Sequence, residues 1–317
     1  MAAGVHRQPW VYEQDGCAMK SLTVKLRREW QFHLMLLPGV VVALIFAYYP
    51  LYGLVIAFQR YNPALGFKSP WIGMENFVYL FNQPNFVRTI WNTFFIAGCK
   101  IIGGIIVPVF FALLLNEVRR VGVKRSFQTL VYIPNFLSWV IMAGILIEIL
   151  SSDGLINQFL SLMGAPKVAF LLDAKVFPWV LIISDIWKGF GFGTVVYLAA
   201  LTNIDPGLYE AAIVDGAKRW KQTIYITIPM ILPIITLMSV LSLGNVLNAG
   251  FDQVYNLYAP LVYSTGDIID TYVYRLGIEQ AQYSVGAAVG MFRSIVSGVL
   301  MVTSYFMADR LAGYRVF

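Results

Sequence analysis

The 317-residue chain is poor in charge. Asp, Glu, Lys and Arg make up 13% of it and apolar residues 58%, against roughly 25% charged in a soluble domain. That balance excludes an ordinary water-soluble fold and points to a membrane protein. Cysteine is nearly absent. Cys17 lies in a polar N-terminal stretch and Cys99 in an apolar run, so neither a disulfide framework nor a thiolate metal site is expected. His6 and His33 are the only histidines, and they assemble no metal constellation. The chain has no Gly-x4-Gly-Lys-Ser/Thr phosphate loop, so it is not expected to bind ATP itself. A net charge of +6 is present, but no basic stripe interleaved with aromatics accompanies it, which argues against nucleic acid. No cleavable leader is expected: the first apolar run begins near Leu34 and no small-residue cleavage site follows it.

What is present is a series of apolar runs. A helix needs about 20 apolar residues to cross a hydrocarbon core of roughly 30 Å. Six runs meet that length, at 34–58, 89–115, 127–150, 177–201, 224–247 and 284–308. The predicted fold is an all-α membrane protein with six transmembrane helices. Residues 1–33 form a cytoplasmic tail, either a surface helix or a partly ordered leader. Residues 34–310 form the membrane domain, and 311–317 a cytoplasmic C-terminus. Orientation follows from Lys and Arg. With the N-terminus inside, 14 of the 23 basic residues fall on the cytoplasmic side and six outside, the other three lying in spans. Prolines 38, 50, 108, 134, 229 and 233 interrupt the spans, as in a bundle that moves. The small-residue runs Gly189–Gly193 and Gly286–Gly290 allow close helix approach.

The polar island Asp205–Pro229, within the loop at 202–223 and the start of the next run, is the most distinctive stretch. Asp205 followed by Pro206 is a helix start, and Gly216 suits the left-handed residue that ends one. A helix of about ten residues is roughly 15 Å long, too short to span. Glu210, Ala211, Ala212, Asp215, Gly216 and Ala217 then form a small-residue surface that can sit in a groove of another protein. The alternative is an interfacial turn with no partner, anchored by Trp220 among the basic Lys218, Arg219 and Lys221.

The island resembles a known element. EAAIVDG (Glu210–Gly216) followed nine residues after the glycine by ITIP (Ile226–Pro229) is similar to the EAA loop of permease subunits of binding-protein-dependent ABC importers. Its one departure is Ile228 where leucine is usual. WIGMENF (Trp71–Phe77) and WNTFF (Trp91–Phe95) resemble elements of sugar permeases, in particular the oligo- and polysaccharide, alginate-type branch. The resemblance implies a subunit of the bacterial inner membrane that is not itself an enzyme and binds no cofactor. ATP and Mg would be used by a cytoplasmic ATPase dimer into which the 205–217 helix inserts. A second, distinct permease subunit, an external sugar-binding protein, membrane lipid and a saccharide complete the implied partners.

For the substrate path, intramembrane polar groups are the first candidates. Asn245, Asn248 and Asp252 recur at helical spacing, with Gln253, Phe251 and Tyr255 beside them. Asn135 and Trp139 lie four apart on the third run. On the fourth, Trp187 and Lys188 follow Asp185, and Asp185 and Lys188 either pair with each other or line the path. Glu148 is expected near the outer end of its span. Lys100 and Arg293 either snorkel or line a cavity, and become counter-charges if the saccharide is anionic. Buried amides bonding between helices, without contact to substrate, are the alternative for the asparagines. The competing function is an ion-coupled secondary transporter, which fits broken helices and buried charges but does not account for the island. An intramembrane enzyme would need a clustered nucleophile and base, and none is seen.

Overall fold

A computed structural model describes residues 29–312 except 119 and 245, without the side chains of 304, 305 and 307–312. The N-terminal tail before residue 29, the C-terminus after 312 and Asn245 lie outside the described residues. Two compact units divide at Val55/Ile56. The first consists of α1 (Trp30–Ala43), a π-helical turn (Leu44–Tyr48) and the start of a tightened 3-10 segment (Tyr49–Phe58). Pro50 lies two residues after the last residue of the π turn. A proline cannot donate to the carbonyl four residues back, and widened turns commonly occur where the helical ladder is interrupted.

The second unit is helical throughout. It comprises α2 (Glu75–Phe81), α3 (Pro84–Glu117), α4 (Val121–Phe136), α5 (Trp139–Leu150), α6 (Leu155–Leu162) and α7 (Phe177–Thr202). Then follow α8 (Pro206–Val214), α9 (Arg219–Gln222), a π turn (Thr223–Thr227), α10 (Ile228–Leu243), α11 (Phe251–Leu257), α12 (Tyr263–Gly266), α13 (Ile269–Tyr274) and α14 (Tyr283–Ala312). The described residues contain six segments long and apolar enough to cross a membrane: Trp30–Phe58, Pro84–Glu117, Trp139–Leu162, Phe177–Thr202, Arg219–Leu243 and Tyr283–Thr303.

The most extensive packing joins α3 to α7, with α4 also against α7, α11 against α5 and α10 against α14. Small residues make this close. A Cβ on Gly191 would strike the Val131 carbonyl, and one on Gly286 would lie 2.7 Å from the Gly277 Cα. The first apolar core gathers Ile96, Met142, Phe177, Leu181, Val254 and Ile268. Another unites Leu80, Phe86, Ile269, Tyr272 and Val289, and a third lies near α8 and joins Leu115, Tyr197, Leu201 and Ile231. Ile102, Ile106, Phe110 and Leu114, four apart along α3, are each at least half exposed. Such a stripe suits lipid, where apolar exposure costs nothing.

Two expected spans differ. The third is not one helix: α4 ends two residues after Pro134, Leu137 and Ser138 are extended, and the Ser138 hydroxyl caps α5 by accepting from the Ile141 amide at 3.3 Å. The fifth apolar segment starts earlier and stops earlier than expected, ending before Gly244. Residues 248–250 are not helical, and Gly250, at φ +93°, redirects the chain into α11.

The resemblance elements have structural roles. Asn76 donates to the carbonyls of Ala57 (2.7 Å) and Gln59 (3.1 Å), closing the first loop of this unit. Asn92 donates to Ser264 and Asp267 carbonyls, and the Thr93 hydroxyl accepts the Ile269 amide at 2.9 Å. These buried side chains fasten the start of α3 to the segment 264–269.

Candidate functional site

The polar centre of the bundle is built on Lys100, whose side chain is 8% exposed. Its Nζ donates to the Ala249 carbonyl at 2.7 Å and to Gln253 Oε1, and stands 3.4 Å from Asp185 Oδ1. Gln253 is fully buried and donates at 2.8 Å to both the Leu181 carbonyl and Ser184 Oγ. A buried ammonium is tolerable only when paired and hydrogen-bonded. Three elements supply those partners: α7, α11 and the 248–250 turn. Gly250 is required here, because a Cβ would stand 3.1 Å from Lys100 Nζ at a backbone angle that side chains rarely adopt.

Lys100 and Asp185 line a cavity of about 290 Å³ with Ile101, Gly104, Ser242 and Asn248. Asp185 is half-buried and Asn248 exposed at its wall. The cavity thus presents a cation, a carboxylate, a hydroxyl and an amide against apolar helix surface, a set able to bind a polyhydroxylated or charged solute.

Several expected groupings are altered. The helix breaks after Leu243, so Asn248 and Asp252 do not share a helical face. Gln253 points into the protein and holds Lys100. Asp185 pairs with Lys100 rather than with Lys188, and Lys188 donates to the Asn135 carbonyl at 3.0 Å while lying 5.5 Å from the Trp139 ring centroid. Asn135 and Trp139 belong to different helices, joined by that lysine. Trp187 lines a separate apolar cavity with Leu146, Ile149, Trp179 and Ile183. Phe251 and Tyr255 stack at 5.3 Å, and Tyr255 meets Tyr274 at 4.9 Å, forming an aromatic cluster. Arg293 pairs with Asp270 at 2.6 Å. Burial raises the Asp270 carboxyl above its ordinary range and Arg293 opposes the shift. Burial, reinforced by Tyr263, likewise raises the Tyr258 phenol. No partner for Lys100 is evident along the chain, because Asp185, Ala249 and Gln253 are at least 85 positions away from it.

The island has a geometry of its own. Asp205 Oδ1 accepts the Gly207 amide at 2.9 Å and Pro206 opens α8. Gly216 has φ +75°. The Ala217 amide reaches the Ala212 carbonyl at 2.8 Å and Gly216 donates to Ile213, a Schellman-type end. None of α8 is buried, and Ile213 and Val214 are 61% and 87% exposed. Glu210, Ala211, Asp215 and Gly216 are exposed, while Ala212 and Ala217 are half-buried. Behind it, Tyr209 and Thr227 hydroxyls lie 3.0 Å apart, Gln222 donates to the Ala217 carbonyl, and Arg219 pairs with Glu117 of α3 at 3.1 Å. The helix is therefore braced through Tyr209 on the fifth segment, which is itself tied to α3, while most of its residues stay exposed.

Among the described residues no group of three or more His, Cys, Asp or Glu could hold a metal ion. A helical membrane bundle with a mixed-charge internal cavity and a braced, exposed loop helix has the parts of a membrane transport component. The chain belongs to the family of binding-protein-dependent transport system inner membrane components, whose profile matches residues 104–314. It is 41% identical to protein LplB of Bacillus subtilis (strain 168), over 90% of each chain. It is also 41% identical to the polygalacturonan/rhamnogalacturonan transport system permease protein YteP of the same organism, over 92% of this chain and 91% of that one. Among solved structures it resembles, at a TM-score of 0.85 and 41% identity, a chain of a bacterial ABC transporter involved in the import of the acidic polysaccharide alginate, covering 92% of this chain and 99% of that one.

Proposed function

We propose that this chain is one of two permease subunits of an ATP-driven importer that moves an acidic oligo- or polysaccharide across the bacterial cytoplasmic membrane by alternating access. The observation that carries the reading is α8: a capped helix with no fully buried residue, carrying the Glu210–Gly216 pattern and braced against the start of the fifth apolar segment, which is itself tied to α3. Glu210, Ala211, Ala212, Asp215, Gly216 and Ala217 form its docking surface for a cytoplasmic ATPase dimer. That dimer uses ATP and Mg, and this chain carries no cofactor. Both termini are cytoplasmic, and a saccharide-loaded binding protein delivers substrate to the opposite face. The second permease is a distinct homologue.

The substrate path runs through the cavity at Lys100 and Asp185. Asn248 and Ser242 offer hydrogen bonds to sugar hydroxyls, and Lys100 offers a counter-charge to a carboxylate. Gln253 positions Lys100. The Asn135–Lys188–Trp139 junction belongs to the path's walls, while Phe251, Asp252 and Tyr255 line its approaches. Polygalacturonan/rhamnogalacturonan, named for the YteP permease, and alginate, named for the importer of known structure, are acidic polysaccharides, which supports the anionic class.

The test is reconstitution of the whole complex in vesicles with loaded binding protein. Uptake of an oligogalacturonate must require ATP. Asn248→Ala is expected to lower uptake several-fold with assembly unchanged. Saccharide uptake by the permease pair without its ATPase would refute the proposal.

A further inference from the structure

A second polar cavity, of about 320 Å³, lies away from Lys100 where the start of α3 meets the segment 263–282. Its wall carries two guanidinium groups and one carboxylate. Arg275 is tied to Asp267 through both of its terminal nitrogens, and Thr271 also donates to that carboxylate at 2.7 Å. The Arg275 guanidinium lies over the Tyr263 ring at 4.2 Å and near Tyr272 at 5.5 Å. Asp267 is thus fully engaged and Arg275 neutralised and locked. Arg88, exposed at the same wall, has no side-chain ion pair or hydrogen bond among the described residues. The cavity therefore has one uncompensated positive charge. An adjoining cavity of about 470 Å³ shares Tyr79 and Gln282 with it, so a chain-like ligand can continue from one to the other.

We propose that this cavity is an outer binding site for a carboxylate-bearing sugar unit, with Arg88 as its counter-charge. The inference rests on the saccharide reading above and adds a site distinct from the central cavity. A guanidinium grips a carboxylate through two parallel hydrogen bonds. Tyr79 and Tyr263 supply rings for a sugar face, and Gln282 an amide for hydroxyls. An acidic side chain of the binding protein has the same charge. The concave shape and the second cavity beside it suit a saccharide chain better than a protein surface.

The experiment uses the complete transporter in zwitterionic-lipid nanodiscs, without binding protein, titrated with a galacturonate trisaccharide and with a neutral galactose trisaccharide by saturation-transfer NMR. Wild type is expected to bind the acidic sugar at least tenfold tighter. Arg88→Gln should remove most of that preference, and Arg88→Lys should retain part of it. Unchanged acidic-sugar binding in Arg88→Gln overturns the proposal. So does a variant that binds the trisaccharide normally but has lost affinity for the loaded binding protein, which would make the cavity a protein dock. The two readings fail separately: if wild type shows no ATP-dependent saccharide uptake, the importer reading falls. If it imports normally and Arg88→Gln binds like wild type, only the outer site falls.

Discussion

Lys100 shows what a single residue does in this bundle. Its charge is buried and shared among three acceptors from distant parts of the chain. Removing one partner of a buried pair commonly costs about 3–5 kcal/mol because the other is left uncompensated. Asp185 faces the cavity and is 36% exposed, so solvent screens part of that loss. Lys100→Met is expected to destabilise the protein by about 2–3 kcal/mol, read as a lowered melting temperature in detergent. Asp185→Asn should cost less in stability and more in uptake. Gly250→Ala tests the same centre from the backbone side. The left-handed conformation costs a side-chain residue about 1–2 kcal/mol, and the new methyl crowds Nζ. Gly250→Ala is therefore expected to lower stability measurably in the same melting assay.

At the scale of the element, the ends of α8 are set locally. Asp205 caps its start and Gly216 its end. Asp205→Ala is expected to weaken the helix by about 1 kcal/mol, visible as faster amide exchange across 206–214 with the spans unchanged. Gly216→Val should disturb the turn and lower transport per ATP hydrolysed. The approach of α14 to the π-helical turn Arg275–Glu279 is equally strict, because Gly286 stands where a Cβ would meet the Gly277 backbone. These ends were legible because capping depends on residues one to five apart. The break between α4 and α5 was not. Pro134 marks a weak point, but whether the helix bends through it or stops depends on what Ser138 and the neighbouring α7 offer.

For the molecule as a whole, coupling requires that a force on α8 reach the cavity. The path is covalent and packed: α8 is braced through Tyr209–Thr227 onto the fifth segment, which Arg219–Glu117 ties to α3, and both segments line the Lys100 cavity farther along. Glu210→Lys is expected to leave the bundle folded and ATP hydrolysis by the complex present, while uptake falls severalfold or more. Equal uptake in wild type and variant would remove Glu210 from the docking surface. The presence of six apolar segments, the approximate limits of all but the third and fifth, and the polar island could be read from composition and run length. The partner of each intramembrane charge could not. Asp185 has Lys188 one turn away along α7 and pairs instead with Lys100 on α3, and Arg293 pairs with Asp270 on another element.

The sequence by itself determined that the chain enters a membrane, because lipid leaves a long apolar run only helical solutions. It also determined that a short capped helix interrupts two spans, because capping chemistry is local. Only the tertiary structure decided that Gln253 is buried against Lys100, that Asn248 lies in a turn at a cavity wall, and that Arg88 stands unpaired beside a neutralised Arg275. Those outcomes depend on which elements meet, and a buried charge selects its partner by distance in space, not by spacing along the chain.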